Sequence, residues 1–174
     1  MEKILLAGYM GSGKTTVGSL LSKLTGLEFM DLDDVIESQS GRTIRQLFAS
    51  EGEIAFRKLE HKILGDLIAG DGKFILALGG GTPCYANNHL LLRAPGVSSF
   101  YLRASVPQLC SRVATRKEDR PLISHIADED LPAFIGTHLF ERDAFYRNAH
   151  HIIDTNNKTP EEVAGLIFDQ LRRA

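Results

Sequence analysis

The chain has 174 residues, 43% hydrophobic and 24% charged, the proportions of one soluble globular domain with its own core. With 20 basic against 22 acidic residues the net charge is −2, which excludes a general electrostatic pull toward nucleic acid or a membrane surface. Cys84 and Cys110 match neither a CxxC pair nor a zinc spacing, the histidines form no metal-binding pair, and no apolar stretch approaches membrane-spanning length. A cytoplasmic protein with free thiols is therefore expected.

The first apolar run, Ile4-Leu5-Leu6-Ala7, reads as a buried strand and leads into Gly8-Tyr9-Met10-Gly11-Ser12-Gly13-Lys14-Thr15, a complete GxxxxGK(S/T) sequence. Behind it Val17, Leu20, Leu21 and Leu24 recur at helical spacing. Strand, glycine loop and helix in that order build a phosphate cradle. The glycines let backbone N–H groups converge on phosphate oxygens, and the helix N-terminus adds partial positive charge. Lys14 then reaches the β- and γ-phosphates, and the Thr15 hydroxyl ligates Mg²⁺ directly. A glycine-rich turn that binds nothing is the plain alternative. The lysine, the hydroxyl and both flanks together argue against it, so Gly11, Ser12, Gly13, Lys14, Thr15 and Thr16 are assigned to a nucleoside triphosphate.

Residues 27–32 read as the second strand, which carries Asp31 and runs into Asp33-Asp34. Phosphate-loop proteins often carry a magnesium-binding Asp after a later strand, but residues 74–78 run into Gly79-Gly80-Gly81 instead. Asp31 and Asp33, two apart, would share one face of an extended chain at a strand's carboxyl end, where ligands bind in open α/β sheets. One carboxylate could serve Mg²⁺ through water while the other orients or deprotonates an acceptor hydroxyl. The competing reading makes Asp33 or Asp34 the cap of a following helix. Further strands are expected at residues 99–102 and 151–154. Helical stripes run through Ile63, Leu64, Leu67 and Ile68 and through Val163, Leu166, Ile167 and Leu171, the last behind a Thr159–Glu162 capping box with Pro160 at the first position. Strands alternating with helices imply a parallel sheet covered on both faces. Only residues 115–130, charged and without apolar period, read as a mobile loop.

The triple glycine offers a backbone that can lie flush against a small polar ligand. Arg57, with Glu60 at i+3, Arg120 before Pro121, and Arg142 on a helical segment stand out by context. Singly each would be a solvated surface charge. Together, in an acidic chain, they point to a second anion site, because the planar guanidinium suits carboxylate and phosphate.

With these features in order, the chain resembles the shikimate kinases from end to end. The matching residues are the glycine loop, Phe29-Met30-Asp31-Leu32-Asp33, Gly41-Arg42-Thr43-Ile44 leading to Phe48, and Glu51-Gly52-Glu53. Phe56-Arg57, Gly79-Gly80-Gly81, Arg120-Pro121-Leu122, and Arg142 with Tyr146 complete the set. The resemblance implies transfer of the γ-phosphoryl of ATP to the 3-hydroxyl of shikimate in the chorismate pathway, with Mg²⁺ as cofactor. It implies Asp33 as base or orienting group, with Lys14 and Arg120 completing the catalytic set. Asp31 would support Mg²⁺ through water, and Arg57 and Arg142 would clamp the shikimate carboxylate beside Gly79, Gly80 and Gly81. Arg116 would stack near the adenine, and Asn156 would border it. The fold it implies is the α/β three-layer sandwich of nucleoside-monophosphate kinases, a five-stranded parallel sheet of order 2-3-1-4-5. It would be one monomeric domain with a substrate-binding helical region at about 33–60 and a lid at about 112–130. Thr82-Pro83-Cys84 departs from the small or aliphatic residues usual after the triple glycine.

Two rivals remain. A gluconate or nucleoside-monophosphate kinase shares the architecture, but the triple glycine and the Arg57/Arg142 pair favour a compact carboxylate-bearing polyol. A module that hydrolyses ATP only to switch conformation would need a partner-binding extension. Neither nucleic acid nor membrane is an expected partner.

Overall fold

The computed structural model describes residues 3–115 and 122–173. Its strands are β1 (Lys3–Ala7), β2 (Glu28–Asp31), β3 (Phe74–Ala77), β4 (Val97–Arg103) and β5 (His151–Asp154). All pair in parallel, in the order β2-β3-β1-β4-β5. The helices are α1 (Lys14–Thr25), α2 (Leu32–Ser40), α3 (Ile44–Ala69), α4 (Asn88–Leu91), α5 (Val106–Ala114), α6 (Leu131–Tyr146) and α7 (Pro160–Arg173). Sheet order and strand count agree with expectation. β4 is longer than residues 99–102, since Val97 and Ser98 continue the register against Lys3 and Ile4.

The sheet divides the core in two because successive side chains of a strand face opposite ways. Ile4 and Leu6 of β1 join Ile75, Phe100 and Leu102 against Val17 and Leu21 of α1 and Val163 and Ile167 of α7. Leu5 and Ala7 join Leu76 and Tyr101 on the other face, packed by Ile36, Phe56, Leu64, Leu109 and Ile135. Near-continuous apolar strands are what a sheet buried on both faces requires.

Several ends are set locally. At α7, Thr159 N donates to Glu162 Oε2 at 2.7 Å and Glu162 N to Thr159 Oγ1 at 3.2 Å, the expected capping box. A second box opens α3, with Thr43 and Gln46 as the partners. At Gly52 (φ 80°, ψ 172°) α3 is broken, a conformation that only glycine adopts cheaply.

The packing of α1 on β2 yields one prediction. A Cβ added at Gly18 would lie 2.2 Å from Phe29 Cε2. Gly18→Ala is expected to destabilise the fold by about 1–3 kcal/mol, seen as a lower urea midpoint at unchanged slope. An unchanged midpoint would place Phe29 elsewhere.

Candidate active site

The glycine loop joins β1 to α1 and lines a cavity of about 770 Å³ at the carboxyl ends of the strands. Positive φ at Gly8 (148°), Gly11 (78°) and Gly13 (97°) turns the loop's backbone inward, and Gly13 stands at the N-terminus of α1. Space is as limiting as conformation, since a Cβ at Gly11 would meet Val113 Cγ1 at 2.7 Å. Lys14 Nζ donates to the carbonyl oxygens of Gly8 and Tyr9 at 2.7 and 3.1 Å, so the ammonium lies over the loop. The Ser12 hydroxyl is buried without a hydrogen-bond partner.

Asp31 ends β2 and has two tasks. Its Oδ2 accepts from the Thr15 hydroxyl at 3.1 Å, and its Oδ1 accepts from Asp33 N at 3.1 Å, capping α2. The cap is thus neither Asp33 nor Asp34. Nor do Asp31 and Asp33 share an extended face, because the chain turns helical at Leu32, where the Asp31 carboxylate satisfies one orphan backbone N–H of α2, that of Asp33. Both carboxylates nevertheless line the cavity beside the loop. Thr15 Oγ1 and Asp31 Oδ2 are a hard-oxygen pair that suits Mg²⁺, one directly and one through water. Among the described residues no group of three or more His, Cys, Asp or Glu side chains could hold a metal ion.

Burial, then the charges of Asp31 and Glu60, push the Asp33 carboxyl up to about 6, against the opposing pull of Lys14. A carboxylate poised there exchanges protons near neutrality.

The triple glycine follows β3 and passes between these acids and two arginines. Gly81 has φ −93°, so conformation does not demand glycine there. Space is tighter there, since a Cβ at Gly81 would lie 3.0 Å from Arg57 Nη2, whereas Cβ positions at Gly80 and Gly79 would make ordinary contacts with Arg142 Nη1 at 3.8 Å and Asp33 Oδ1 at 3.5 Å. Gly80 also abuts the phosphate loop, with Met10 N only 3.4 Å from that Cβ position. The two anion sites expected from sequence therefore adjoin.

Arg57, 18% exposed, donates through Nη1 to Glu60 Oε2 at 3.2 Å, and Glu60 is only 1% exposed. The pair is partly inside the protein and is no loose surface contact. Tyr85 lies over the guanidinium at 4.1 Å. Arg142 reaches the glycines from α6, and its guanidinium stands 5.7 Å from the Tyr9 ring. One helical turn on, the Tyr146 hydroxyl donates to Gly80 O and ties α6 to the glycine turn. Burial drives that phenol's pKa far up, so it remains a donor.

Arg116 and Arg120 lie outside the described residues, as does the charged centre of the expected lid. Asn156 does not line the large cavity. Its Oδ1 accepts from Ser105 N at 2.9 Å, and it borders a neighbouring depression with Arg103 and Asp154. The cavity's far end is made instead by Arg112, Thr155, Lys158 and Pro160. Arg112 was not anticipated from sequence. Its Nη2 donates to Thr155 O at 3.0 Å and its Nη1 to Thr155 Oγ1 at 3.3 Å, which ties α5 to the loop before α7. A signal existed: Arg112 falls between Leu109 and Val113, next to the buried stripe of α5, where a solvated arginine is out of place.

A family model described as shikimate kinase matches residues 10–172. A shikimate kinase of Flavobacterium johnsoniae is 46% identical over 98% of this chain and 99% of its own length. The chain belongs to the shikimate kinase family. Among solved structures, that of the shikimate kinase from Bacteroides thetaiotaomicron superposes with a TM-score of 0.89 at 29% identity, covering 98% of each chain. The shikimate kinase from Acinetobacter baumannii, solved in complex with shikimate, superposes with a TM-score of 0.87 at 35% identity, covering 99% of this chain and 94% of that one. Membership accounts for the sheet order and for the phosphate loop beside a glycine-lined basic pocket. Among the described residues no helix is long and apolar enough to cross a membrane.

Proposed function

We propose that this chain is a shikimate kinase, passing the γ-phosphoryl group of ATP to the 3-hydroxyl of shikimate to give shikimate 3-phosphate and ADP. The observation that carries the assignment is the pair of guanidinium groups, Arg57 and Arg142, standing over a side-chain-free turn that touches the phosphate loop. A carboxylate with adjacent ring hydroxyls is what such a pocket fits, and family membership names the same substrate class.

ATP lies with its phosphates in the loop, held by backbone N–H groups and Lys14, with Gly11, Ser12, Gly13 and Thr16 around them. Bound beside the phosphates, Mg²⁺ would neutralise charge on the β- and γ-oxygens, held by Thr15 directly and by Asp31 through water. Arg57 and Arg142 orient shikimate by its carboxylate, with Gly79, Gly80 and Gly81 alongside. Asp33 receives the hydroxyl proton as the oxygen attacks. Arg112, with Thr155 and Pro160, supports the base end of the nucleotide, near the roles proposed for Arg116 and Asn156. Arg120 closes onto the transferring group from a lid at about 112–130, over a substrate region at about 33–60, in a single monomeric domain located in the cytoplasm.

A coupled ADP-release assay over shikimate, gluconate, AMP and CMP tests the assignment. Turnover with shikimate alone is expected, and turnover with AMP or gluconate but not shikimate would overturn it. Lys14→Ala is expected to weaken nucleotide binding and to lower kcat, read by calorimetry and by the same assay. Unchanged values in both would remove Lys14 from the phosphates.

A further inference from the structure

Thr82 is 0% exposed, and its hydroxyl donates to Glu60 Oε1 at 2.6 Å. A carboxylate can only accept, so the hydroxyl is the donor. The other oxygen of Glu60, Oε2, accepts from Arg57 Nη1 at 3.2 Å. One buried carboxylate thus divides its oxygens between Thr82 and Arg57.

The surrounding chain is arranged for this contact. Gly79 makes room for the hydroxyl, since a Cβ there would lie 2.8 Å from Thr82 Oγ1. Thr82 N donates to Gly79 O at 3.1 Å, closing the turn. Thr82 O accepts from Nδ2 of Asn88, itself buried, at 2.9 Å, and Asn88 Oδ1 meets His61 Nδ1 at 2.6 Å. His61 and Glu60 are neighbours on α3, so the loop after the glycines is fastened to that helix at Thr82 and again at Asn88.

We propose that Thr82 is a positioning residue for Arg57. It occupies one oxygen of Glu60 so that the other holds the guanidinium toward the glycine pocket, where it takes the acceptor's carboxylate. Without the hydroxyl, both carboxylate oxygens are free for the fork of Arg57. The guanidinium then gives up Glu53 Oε1, 3.4 Å from its Nε and Nη2, and turns into a two-bond pair with Glu60 and away from the pocket. Thr82 touches no substrate and acts only through the arginine. The proposal rests on the reading of Arg57 as the carboxylate ligand.

The test compares Thr82→Val, Thr82→Ala and Thr82→Ser, alone and combined with Arg57→Ala, in steady-state assays with shikimate and ATP. Loss of the hydroxyl is expected to raise the shikimate KM about tenfold while kcat and the ATP KM stay within about twofold, and Ser is expected to restore the wild-type value. In the Arg57→Ala background the same changes should have no further effect on KM, because the arginine they act through is gone. A rise in KM that simply adds to that of Arg57→Ala would overturn the proposal, as would an unchanged KM in Thr82→Ala and Thr82→Val. Thermal melts accompany each variant. Collapse of both Val and Ala variants with Ser intact would assign the hydroxyl to folding and overturn it too. If Arg57→Ala alone leaves shikimate KM unchanged, the underlying reading of Arg57 fails, and the positioning role fails with it.

Discussion

Asp33→Asn is expected to lower kcat with shikimate by about 10²–10⁴-fold while leaving ATP affinity nearly intact. The change removes a proton acceptor from the acceptor side of the cavity and touches no residue of the phosphate loop. Asp33 is suited to that task because burial, and then the negative charges of Asp31 and Glu60, raise its pKa to about 6. In the wild type, kcat/KM should therefore rise with pH along an acid limb near pH 6, where the free enzyme's carboxylate ionises. The same shift has a consequence for stability with a defined sign. A carboxyl whose pKa is raised on folding is held more favourably as the acid, so its contribution is full below about 3.8 and is lost as pH rises through about 6. At pH 8 the ionised Asp33 works against the fold, by at most about 3 kcal/mol, and Asn removes that cost. The variant should melt several degrees higher than wild type at pH 8, with the difference vanishing below about pH 4. Near wild-type kcat in Asp33→Asn would reduce the residue to a structural role. A pH profile without an acid limb would remove it as the base.

Replacement of Arg57 tests the substrate class most directly, because its assigned partner is the group that separates shikimate from a neutral polyol. Loss of a guanidinium–carboxylate contact is expected to raise shikimate KM about a hundredfold, on the order of 3 kcal/mol. Arg57→Lys should be nearly as damaging as Arg57→Ala, since an ammonium cannot reproduce two parallel hydrogen bonds. The two variants should differ in stability. Glu60 is almost fully buried, so Arg57→Ala leaves its carboxylate with Thr82 and no opposite charge, whereas Lys keeps a cation nearby. Lower melting of the Ala variant beside wild-type-like melting of the Lys variant, with KM raised in both, separates binding from folding. A KM change smaller than about threefold in the Lys variant would place Arg57 outside the pocket and leave it in its pair with Glu60.

The phosphate side of the site was legible in the sequence because it is contiguous. Gly8 to Thr15 carry their own turn, their own lysine and the start of their own helix, so no distant residue has to be located. The same locality made the capping box of α7 readable, its two hydrogen bonds joining residues three apart. Apolar runs showed the strands for a similar reason, since a sheet covered on both faces admits little else. The sequence by itself thus determined a phosphate-loop α/β protein with two carboxylates after its second strand. Their relation to each other it could not determine. Asp31 caps the helix that carries Asp33, and an extended-chain reading fails wherever a strand ends by handing its last side chain to a helix. Tertiary structure also brought Arg57 and Arg142, already singled out by context, to one glycine turn and added Arg112 to the cavity wall. Arg57, Arg112 and Arg142 sit on three helices, and no spacing along the chain relates them. Parallel pairing brings the carboxyl ends of β1, β2 and β3 to one edge, and so sets Asp33, the glycine turn and the phosphate loop together. Burial did the rest. Glu60 and Thr82 read as an ordinary helix acid and an ordinary turn residue, and they become a charged pair's support only where packing excludes water from both.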